Sequence, residues 1–428
     1  MFEIMPIEHL EGELIMPGDK SISHRLIILS SLADGDALAD NFLISDDSLR
    51  TMEAFRRMGI EINIGGRNIK ITGKGLRGLK APQEALYMGG SGTSLRLILG
   101  VLAGQKFKTT LLGNDSLSKR PMKRVTFPLR AMGAKIEGPE DADFLPLTIE
   151  GGDLKPIVYK MPIASAQVKS AILLAGLYAK GETKVIEPFI SRDHTERILK
   201  LFGAEFKKEG LVNTISGWPK LKGMKFYIPG DISSAANFIV LATLVKKAHL
   251  LITSVGLNPT RIGIIDVLRK MGARIELRIK EESLAYEPFG DIEVRNSSLK
   301  GVRVTKEEIP LLIDEIPLLM VAGCFAEGIT YIEGAQELRV KETDRINSMV
   351  TNLKNMGANI EMEGDKIIIK GGSPLKGALV SSYGDHRTAM SMVVAGALIP
   401  GKTVLNETNC INKSFPEFFE LLKQIVKR

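Results

Sequence analysis

Two hydrophobic patterns alternate along the chain. In the first, apolar residues at helical spacing lead to a Met-Gly or Phe-Gly pair, and a short stretch of alternating apolar and polar residues follows. Copies end at Gly59, Gly133, Gly203, Gly272 and Gly357, about 70 to 85 residues apart, and Phe418 to Val426 resembles a sixth, terminal copy. A helix that ends in a glycine cap and leads into a strand produces this pattern.

The second pattern is an apolar run with few polar positions, such as AILLAGLYA or MSMVVAGALI, which predicts a helix buried on all sides. Each run begins near a short polar motif, and the predicted starts are Asp19, Ser91, Ser165, Asp231, Asp314 and Asp385. One copy of each pattern per repeat predicts six α/β units of similar plan. Their period exceeds the roughly 20–50 residues that are usual for solenoids, which favours units grouped into globular domains.

Composition narrows the class of protein. A chain of 428 residues with 44% hydrophobic and 25% charged residues is typical of a globular protein of two or three domains. No stretch reaches the roughly 18 apolar residues of a membrane span, and residues 1–10 lack the features of a signal peptide. Cys324 and Cys410 are too few for a disulfide framework, and no Cys/His spacing suggests zinc. We therefore expect a cytoplasmic protein with unpaired thiols.

The starts of the buried helices carry the candidate chemistry. A helix N-terminus exposes unpaired N–H groups and partial positive charge, so several such ends facing one cleft would bind anions. Basic residues crowd two of these starts: Lys20, His24 and Arg25 lie beside Ser21 in PGDKSISHR, and His386 and Arg387 lie in YGDHRTAMS. The net charge of +7 fits a cleft for anionic small molecules and is only weak support for nucleic-acid binding.

Each motif also has a plainer interpretation. Ser, Asp and Gly are good helix caps wherever they occur. Lys341, Glu342 and Arg345 would share one arc of a helix, which is equally typical of a surface ion-pair ladder. Asp314 suits a helix N-terminus because of the dipole alone. NDSLSKRPMKR, with its four basic residues, resembles a nucleic-acid patch but lacks interleaved aromatic residues.

Taken together, the motifs closely resemble those of the 5-enolpyruvylshikimate-3-phosphate synthases, an enolpyruvyl transferase family of the shikimate pathway. The matching segments are PGDKSISHR, GGSGTSLR, SKRPM, ASAQVKSAILLAGL, SRDHTE, DEIP, RVKETDR, GDHRTAM and NKSFPEFF, which run from Pro17 to Phe419. SAQVKS and SRDHTE are more similar to the Gram-positive-type branch than to the enteric type.

The resemblance implies an α/β fold of two similar globular domains. Each domain would contain three βαβαββ units, with the N-termini of the interior helices pointing at the interdomain cleft. Chain crossovers are expected near Pro17–Lys20 and Pro229–Asp231. One domain would be discontinuous, with residues 1–17 and 230–428, and the other would hold residues 18–229.

The implied reaction transfers the enolpyruvyl group of phosphoenolpyruvate to the 5-hydroxyl of shikimate 3-phosphate and releases phosphate. The protein would act as a monomer on these two small molecules, with no cofactor, metal, nucleic acid or membrane involved. Because both substrates are phosphorylated, a cleft rich in Lys and Arg is expected.

The family pattern also implies roles for individual residues. For phosphoenolpyruvate binding, the matching positions are Lys20, Gly92, Arg120, Gln167, Arg345, Arg387 and Lys413. For shikimate 3-phosphate binding, they are Lys20, Ser21, Arg25, Ser165, Ala166, Gln167, Ser191, Asp314 and Lys341. Asp314 would take the proton of the 5-hydroxyl, Glu342 would protonate the methylene carbon, and Lys20 would bridge the developing charge. His386 and Thr93 are further candidates.

Some positions depart from the family pattern. Gly90 stands where Asn is common, Ala166 replaces a second phosphate-binding Ser, and Glu337 and His194 differ from the enteric type. Gly92, by contrast, is kept, and the resemblance implies sensitivity to glyphosate, which competes with phosphoenolpyruvate beside this glycine. Leu97 stands where the enteric type has Pro.

Two other functions are alternatives on the sequence alone. The sister transferase that acts on UDP-N-acetylglucosamine usually has an early Lys-Asn pair and a reactive Cys in a Gly/Arg loop. Here Ser21 follows Lys20, and neither Cys324 nor Cys410 lies in such a loop. A nucleic-acid binding protein built on the same units would need a basic stripe with aromatic residues, and only 6% of the chain is aromatic.

Overall fold

The computed structural model describes residues 1–281, 283 and 286–427. The strands in chain order are β1 (Phe2–Ile4), β2 (His9–Ile15), β3 (Asp34–Asp40), β4 (Glu61–Gly65), β5 (Asn68–Lys74), β6 (Leu86–Tyr87), β7 (Lys108–Leu112), β8 (Lys135–Glu137), β9 (Leu147–Glu150), β10 (Val158–Lys160), β11 (Glu182–Ile186), β12 (Phe206–Glu209), β13 (Val212–Ser216), β14 (Lys225–Tyr227), β15 (Lys247–Gly256), β16 (Arg274–Ile279), β17 (Phe289–Arg295), β18 (Arg303–Val304), β19 (Ile329–Ile332), β20 (Asn359–Glu363), β21 (Lys366–Lys370), β22 (Leu379–Val380) and β23 (Thr403–Leu405).

The helices in chain order are α1 (Lys20–Leu32), α2 (Asp46–Arg57), α3 (Gly92–Ala103), α4 (Asp115–Ser118), α5 (Lys123–Met132), α6 (Pro139–Ala142), α7 (Ala166–Gly176), α8 (His194–Leu201), α9 (Ile232–Leu244), α10 (Gly263–Lys270), α11 (Ile309–Leu312), α12 (Ile316–Phe325), α13 (Arg345–Asn355), α14 (His386–Ala397) and α15 (Phe418–Ile425). Short 3-10 turns cover Ile313–Glu315, Gln336–Val340 and Asn409–Lys413.

One arrangement of strands recurs along the chain. A short edge strand pairs in parallel with the strand that follows the buried helix, and a hairpin then adds two antiparallel strands. In the described residues, this pattern gives the four-stranded sheets β14–β3–β5–β4, β6–β7–β9–β8, β10–β11–β13–β12, β2–β15–β17–β16 and β18–β19–β21–β20. The predicted α/β fold of repeated βαβαββ units is therefore confirmed.

Strand exchange at the chain crossovers completes the remaining pairings. β14 supplies the parallel edge strand for β3, and β2 supplies it for β15. The described residues of the last repeat do not show the antiparallel hairpin of the other units. Instead, β1 pairs antiparallel with β23 to form the three-stranded sheet β1–β23–β22.

The chain divides into two units by its internal contacts. The continuous unit comprises Gly18–Ile228, and the discontinuous unit comprises Met1–Pro17 with Pro229–Arg428. Pro229 groups with the discontinuous unit, one residue before the boundary that the sequence predicts. The backbone N–H of Gly230 donates to the Ser254 carbonyl, which ties the start of this segment to β15.

Side-chain caps satisfy the starts of the buried helices. Asp19, Ser91, Ser165, Asp231 and Asp385 each accept a hydrogen bond from a backbone N–H of the first turn of the helix that follows. Asp314 is different, because no side chain of the described residues caps α12, although this helix begins near Asp314 as the sequence predicts. Asp314 lies in the 3-10 turn Ile313–Glu315, and α12 begins two residues later with Pro317 in its first turn.

Glycine ends the amphipathic helices as the sequence predicted. Gly59, Gly133, Gly203, Gly272 and Gly357 follow α2, α5, α8, α10 and α13, and all have positive φ between +88° and +118°. A residue with a Cβ is strained in this left-handed region, whereas glycine is not. The tight turn sends the chain straight into the hairpin of each unit.

The buried helices pack closely and form the core of each unit. Every residue of α14 and nearly every residue of α9 is buried. Cys324 and Cys410 are unpaired, as predicted, and both are buried. None of the helices in the described ranges combines the length and the apolar character that a membrane span requires.

Gly100 allows α3 to lie directly against α7, and replacing it tests this packing. A Cβ at Gly100 would lie 2.3 Å from the Ala171 carbonyl oxygen, so the helices would have to separate. We expect Gly100→Ala to lower the free energy of unfolding by about 1–3 kcal/mol, the usual cost of overpacking a core. Guanidinium titration measures the change.

The matched control is Gly152→Ala. A Cβ at Gly152 meets nothing within 4 Å. This variant should unfold within about 0.5 kcal/mol of the parent, as most surface substitutions do. Equal midpoints for the two variants would show that Gly100 is not needed for the contact between α3 and α7.

Candidate active site

Lys20 occupies the first turn of α1, where its positive charge opposes the helix dipole. Asp47, in the first turn of α2, offsets this cost. The Lys20 Nζ donates to Asp47 Oδ2 at 3.1 Å, and the two side chains are only 15% and 14% exposed. The ion pair holds the ammonium group at the helix start. A phosphate or carboxylate ligand would meet both this ammonium and the helix N–H groups.

Arg25 lies one turn further along α1 and is buried. Its Nε donates to Thr195 Oγ1 at 2.6 Å, its Nη2 donates to Ser170 Oγ at 2.9 Å, and its Nη1 donates to the Ser21 carbonyl at 2.9 Å. One guanidinium thereby ties α1 to α7 and α8. The structure thus gives Arg25 a structural role, and its contact with substrate stays a prediction.

The start of α3 brings two guanidinium groups close to the backbone. A Cβ at Gly92 would lie 2.8 Å from both Arg120 Nη2 and Arg96 Nη1. Gln167, in the first turn of α7, accepts from Arg96 Nη1 at 2.7 Å and donates to Thr93 Oγ1 at 2.9 Å. The missing side chain at Gly92 therefore leaves room for a donor-rich site suited to an anion.

In the continuous unit, the predicted phosphate-binding residues lie in two places. Ser165 caps α7, accepting from the Val168 N–H at 3.4 Å, and Ala166 is the first residue of that helix. Ser191 lies on the loop before α8, where its hydroxyl donates to the Glu187 carboxylate. Glu187 is itself paired with the buried Lys169 at 2.9 Å. Ser165, Ala166 and Gln167 therefore lie together at the start of α7, whereas the Ser191 hydroxyl is hydrogen-bonded to Glu187.

Arg345 is the centre of the site residues in the discontinuous unit. It begins α13 with its side chain only 3% exposed, and it contacts three carboxylates. Its Nε donates to Asp385 Oδ2 at 2.8 Å, its Nη1 to Asp314 Oδ1 at 3.3 Å, and its Nη2 to Glu342 Oε2 at 2.5 Å. Burial alone would lower the pKa of Arg345, but the three carboxylates raise it above its ordinary value, so the guanidinium stays charged.

The geometry of this cluster differs from the one predicted. Lys341 and Glu342 were expected on the same helical arc as Arg345, but they precede the helix, whose cap is Asp344. Because these residues are not helical, Glu342 reaches Arg345 from the preceding loop. The interpretation as a solvated ion-pair ladder is also wrong, since Arg345 is buried.

The start of α14 holds three further candidates. The backbone N–H of Arg387 donates to the capping Asp385 at 2.7 Å, and His386 beside it is buried. The Arg387 Nη1 lies 3.7 Å from Glu315 Oε1. Lys413, in the turn before α15, donates from its Nζ to the Gly384 carbonyl at 2.9 Å. Cationic groups thus surround the N-terminus of a buried helix.

Sequence reasoning missed several partners of the candidate residues. Four of these partners have no role predicted from the sequence, namely Asp47, Arg96, Glu187 and Glu315. They contact the candidate residues Lys20, Gln167, Ser191 and Arg387, respectively. Asp385 was recognised only as a cap, while its second oxygen binds Arg345. The one available signal was that Asp47, Glu315 and Asp385 lie at helix starts. In the described part of the chain, no three His, Cys, Asp or Glu side chains are grouped to hold a metal ion.

The fold is that of the enolpyruvyl transferases. The enolpyruvyl transferase NikO from Streptomyces tendae is 17% identical, with a TM-score of 0.78 over 99% of this chain and 96% of that one. EPSP synthase from Acinetobacter baumannii is 44% identical, with a TM-score of 0.88 over 99% of this chain and 98% of that one.

Sequence comparison identifies the family. Residues 4–422 match the model of the EPSP synthase (3-phosphoshikimate 1-carboxyvinyltransferase) family. A 3-phosphoshikimate 1-carboxyvinyltransferase from Bacillus cereus is 49% identical over 425 residues, and one from Desulforamulus reducens is 48% identical, each covering 99% of both chains. The chain belongs to the EPSP synthase family, which confirms the resemblance seen in its motifs.

His24 lies one turn after Lys20 and is buried without net charge. Burial, with the nearby charges of Lys20 and Arg25, lowers the pKa of His24 from 6.5 to about 3. Its Nδ1 is 2.7 Å from Thr51 Oγ1, which is 2.7 Å from Ser94 Oγ in α3. This chain of polar contacts links the start of α1 to the start of α3.

The low pKa of His24 predicts a loss of stability in acid. Between pH 6.5 and pH 3 the unfolded chain binds a proton at His24 that the folded chain does not bind, so stability falls as the pH falls. His24→Asn should lessen this decrease by about 1.4 kcal/mol per pH unit below pH 6. Denaturant titrations at several pH values measure the slope. His9→Asn, at a partly buried histidine, is the control, and an unchanged slope in His24→Asn would contradict the prediction.

Proposed function

We propose that this protein transfers the enolpyruvyl group of phosphoenolpyruvate to the 5-hydroxyl of shikimate 3-phosphate and releases phosphate. The reaction proceeds by addition and elimination through a tetrahedral intermediate. The observation that carries the proposal is the contact of Arg345 with Asp314 and Glu342 in a chain of this family. One buried guanidinium holds two carboxylates, and the reaction requires both a base and an acid.

Phosphoenolpyruvate carries a phosphate and a carboxylate, and planar guanidinium groups bind both with paired hydrogen bonds. The residues that would bind it are Lys20, Gly92, Arg120, Gln167, Arg345, Arg387 and Lys413. The proposal for the continuous unit rests on the two guanidinium groups beside Gly92. That for the discontinuous unit rests on the cationic groups at the start of α14.

Shikimate 3-phosphate carries a phosphate, a carboxylate and hydroxyl groups. The residues that would bind it are Lys20, Ser21, Arg25, Ser165, Ala166, Gln167, Ser191, Asp314 and Lys341. Ser165 and Ala166 support the phosphate assignment because they lie at the N-terminus of the buried helix α7. For Ser191 to bind the phosphate, its hydroxyl must leave Glu187.

The family resemblance supplies the direction of the two proton transfers. Asp314 takes the proton of the attacking 5-hydroxyl, and Glu342 protonates the methylene carbon of phosphoenolpyruvate. Lys20 balances the negative charge that develops. In the elimination, Glu342 takes a proton back from the new methyl group, the C–O bond to phosphate breaks, and the proton held by Asp314 goes to the departing phosphate, which restores the vinyl group. We further propose that the protein works as a monomer in the cytoplasm.

Isosteric substitutions test the two carboxylates. Asp314→Asn and Glu342→Gln keep the volume of each side chain and remove its proton-transfer function. Turnover, measured as phosphate release, should fall by about 10²–10⁴-fold, the usual contribution of a positioned acid or base. Lys20→Met should be at least as damaging, because it removes charge from the site as well.

The control is Glu361→Gln, an exposed glutamate in β20. It should retain parental turnover, and all variants should keep the parental melting temperature within a few degrees. Phosphate release should require both substrates, and UDP-N-acetylglucosamine should not replace shikimate 3-phosphate. Near-parental turnover in the three site variants would refute the assignment.

Gly92 gives a separate prediction for glyphosate. With a glycine beside Arg120 and Arg96, the inhibitor should compete with phosphoenolpyruvate in the micromolar range, or roughly −8 kcal/mol of binding. Gly92→Ala places a methyl group 2.8 Å from both guanidinium groups. The inhibition constant should rise far more than the KM for phosphoenolpyruvate. A millimolar inhibition constant for the parent protein would contradict the prediction.

A further inference from the structure

Arg387 is nearly buried and only partly satisfied. Its side chain is 10% exposed, and its nearest carboxylate oxygen, Glu315 Oε1, lies 3.7 Å from its Nη1. In the part of the chain that the structure describes, its buried Nε has no hydrogen-bond partner. A guanidinium carries five N–H donors, and burying them without partners is costly. Arg387 therefore keeps donor capacity that an anionic ligand can use.

Glu315 is wholly buried, and a hydrogen bond from Ser233, which is itself held by Arg261 and Asp231, fixes one of its carboxylate oxygens. The Ser233 hydroxyl donates to Glu315 Oε1, and it accepts from Arg261 Nη2 at 2.8 Å. Arg261 in turn lies 3.5 Å from Asp231, which caps α9 and accepts from the Ser233 N–H at 2.8 Å. Because the Ser233 hydroxyl receives one hydrogen bond and gives another, its direction is set.

Charge alternates along this chain of contacts from Asp231 through Arg261 and Glu315 to Arg387. A buried carboxylate needs compensating positive charge, and Glu315 receives it from Arg387 directly and from Arg261 through Ser233. Its side chain exposes no surface, so it cannot itself contact a substrate. Any effect of Glu315 on the reaction must pass through a neighbouring group.

We propose that Glu315 is a positioning residue that fixes the Arg387 guanidinium for an anionic group of phosphoenolpyruvate. This inference rests on the proposed function. Glu315, held by Ser233 and, through it, by Arg261, supplies a negative charge beside the Arg387 guanidinium. That charge keeps the guanidinium in position, with donors still available, before the substrate binds. Without that counter-charge, the guanidinium is better hydrated when it turns toward water. Part of the binding free energy of the substrate is then used to bring it back.

The test separates the binding of the two substrates. Glu315→Gln should raise the KM for phosphoenolpyruvate about tenfold, while the Kd of shikimate 3-phosphate alone, by calorimetry, should stay within about twofold. Glu287→Gln is the matched control, because Glu287 is a buried glutamate of the same unit that accepts from Asn258 at 3.0 Å. It should leave both constants near the parental values. An unchanged or lower KM in Glu315→Gln would overturn the proposal.

A double-mutant cycle shows whether Glu315 acts through Arg387. In an Arg387→Lys background, Glu315→Gln should cause no further rise in the KM for phosphoenolpyruvate, since the group it positions has been replaced. A further tenfold rise there would mean that Glu315 acts by another route, and the proposal would fail. If Glu315→Gln does not fold, Ser233→Ala carries the same expectations with a smaller rise.

A failure of the positioning role of Glu315 can be distinguished from a failure of the proposed function. If the parent protein releases no phosphate from the two substrates, the proposed function is wrong. If the parent is active and the KM for phosphoenolpyruvate does not respond to Glu315→Gln or Ser233→Ala, only the positioning role is wrong.

Discussion

A helix that is buried on all sides must begin without water to satisfy its first N–H groups, and this constraint shapes the chain. Five of the buried helices meet it with a capping side chain, as Asp19 does for α1 and Asp385 does for α14. The exception is α12, which follows a 3-10 turn. Asp314 lies in that turn and is not the N-cap residue of α12, and its Oδ1 accepts a hydrogen bond from Arg345. The departure from the repeat thus coincides with the proposed catalytic base.

Buried cations impose the second constraint, because each requires carboxylates close by. Arg345 gathers Asp314, Glu342 and Asp385 from three different segments of the discontinuous unit. Glu315, the next residue after Asp314 in the 3-10 turn, places a carboxylate 3.7 Å from the Arg387 guanidinium. The two acidic residues of DEIP therefore have different environments: Asp314 is partly exposed, and Glu315 is buried.

Much of the fold could be predicted from the sequence because its signals are local. The glycines that end the amphipathic helices need positive φ, and the apolar runs can only be interior, so the six-fold repeat follows from neighbouring residues. The exchange of β2 and β14 between repeats joins strands far apart in the chain, and no local pattern encodes it. The same limit applies in the site. The pairing of Lys20 with Asp47 depends on how α1 packs against α2, and Glu342 reaches Arg345 from a loop that helical spacing could not predict.

The central claim is that a carboxylate held by Arg345 protonates the methylene carbon of phosphoenolpyruvate and that elimination later removes a proton from the same carbon. Mass spectrometry of the product formed in heavy water tests it most directly. Addition converts the methylene into a methyl group that holds one solvent deuterium, so elimination leaves deuterium in the vinyl group of the product. We expect this incorporation in the parent protein and a matching loss of rate in Glu342→Gln. A product that forms with no deuterium in its vinyl group would contradict it.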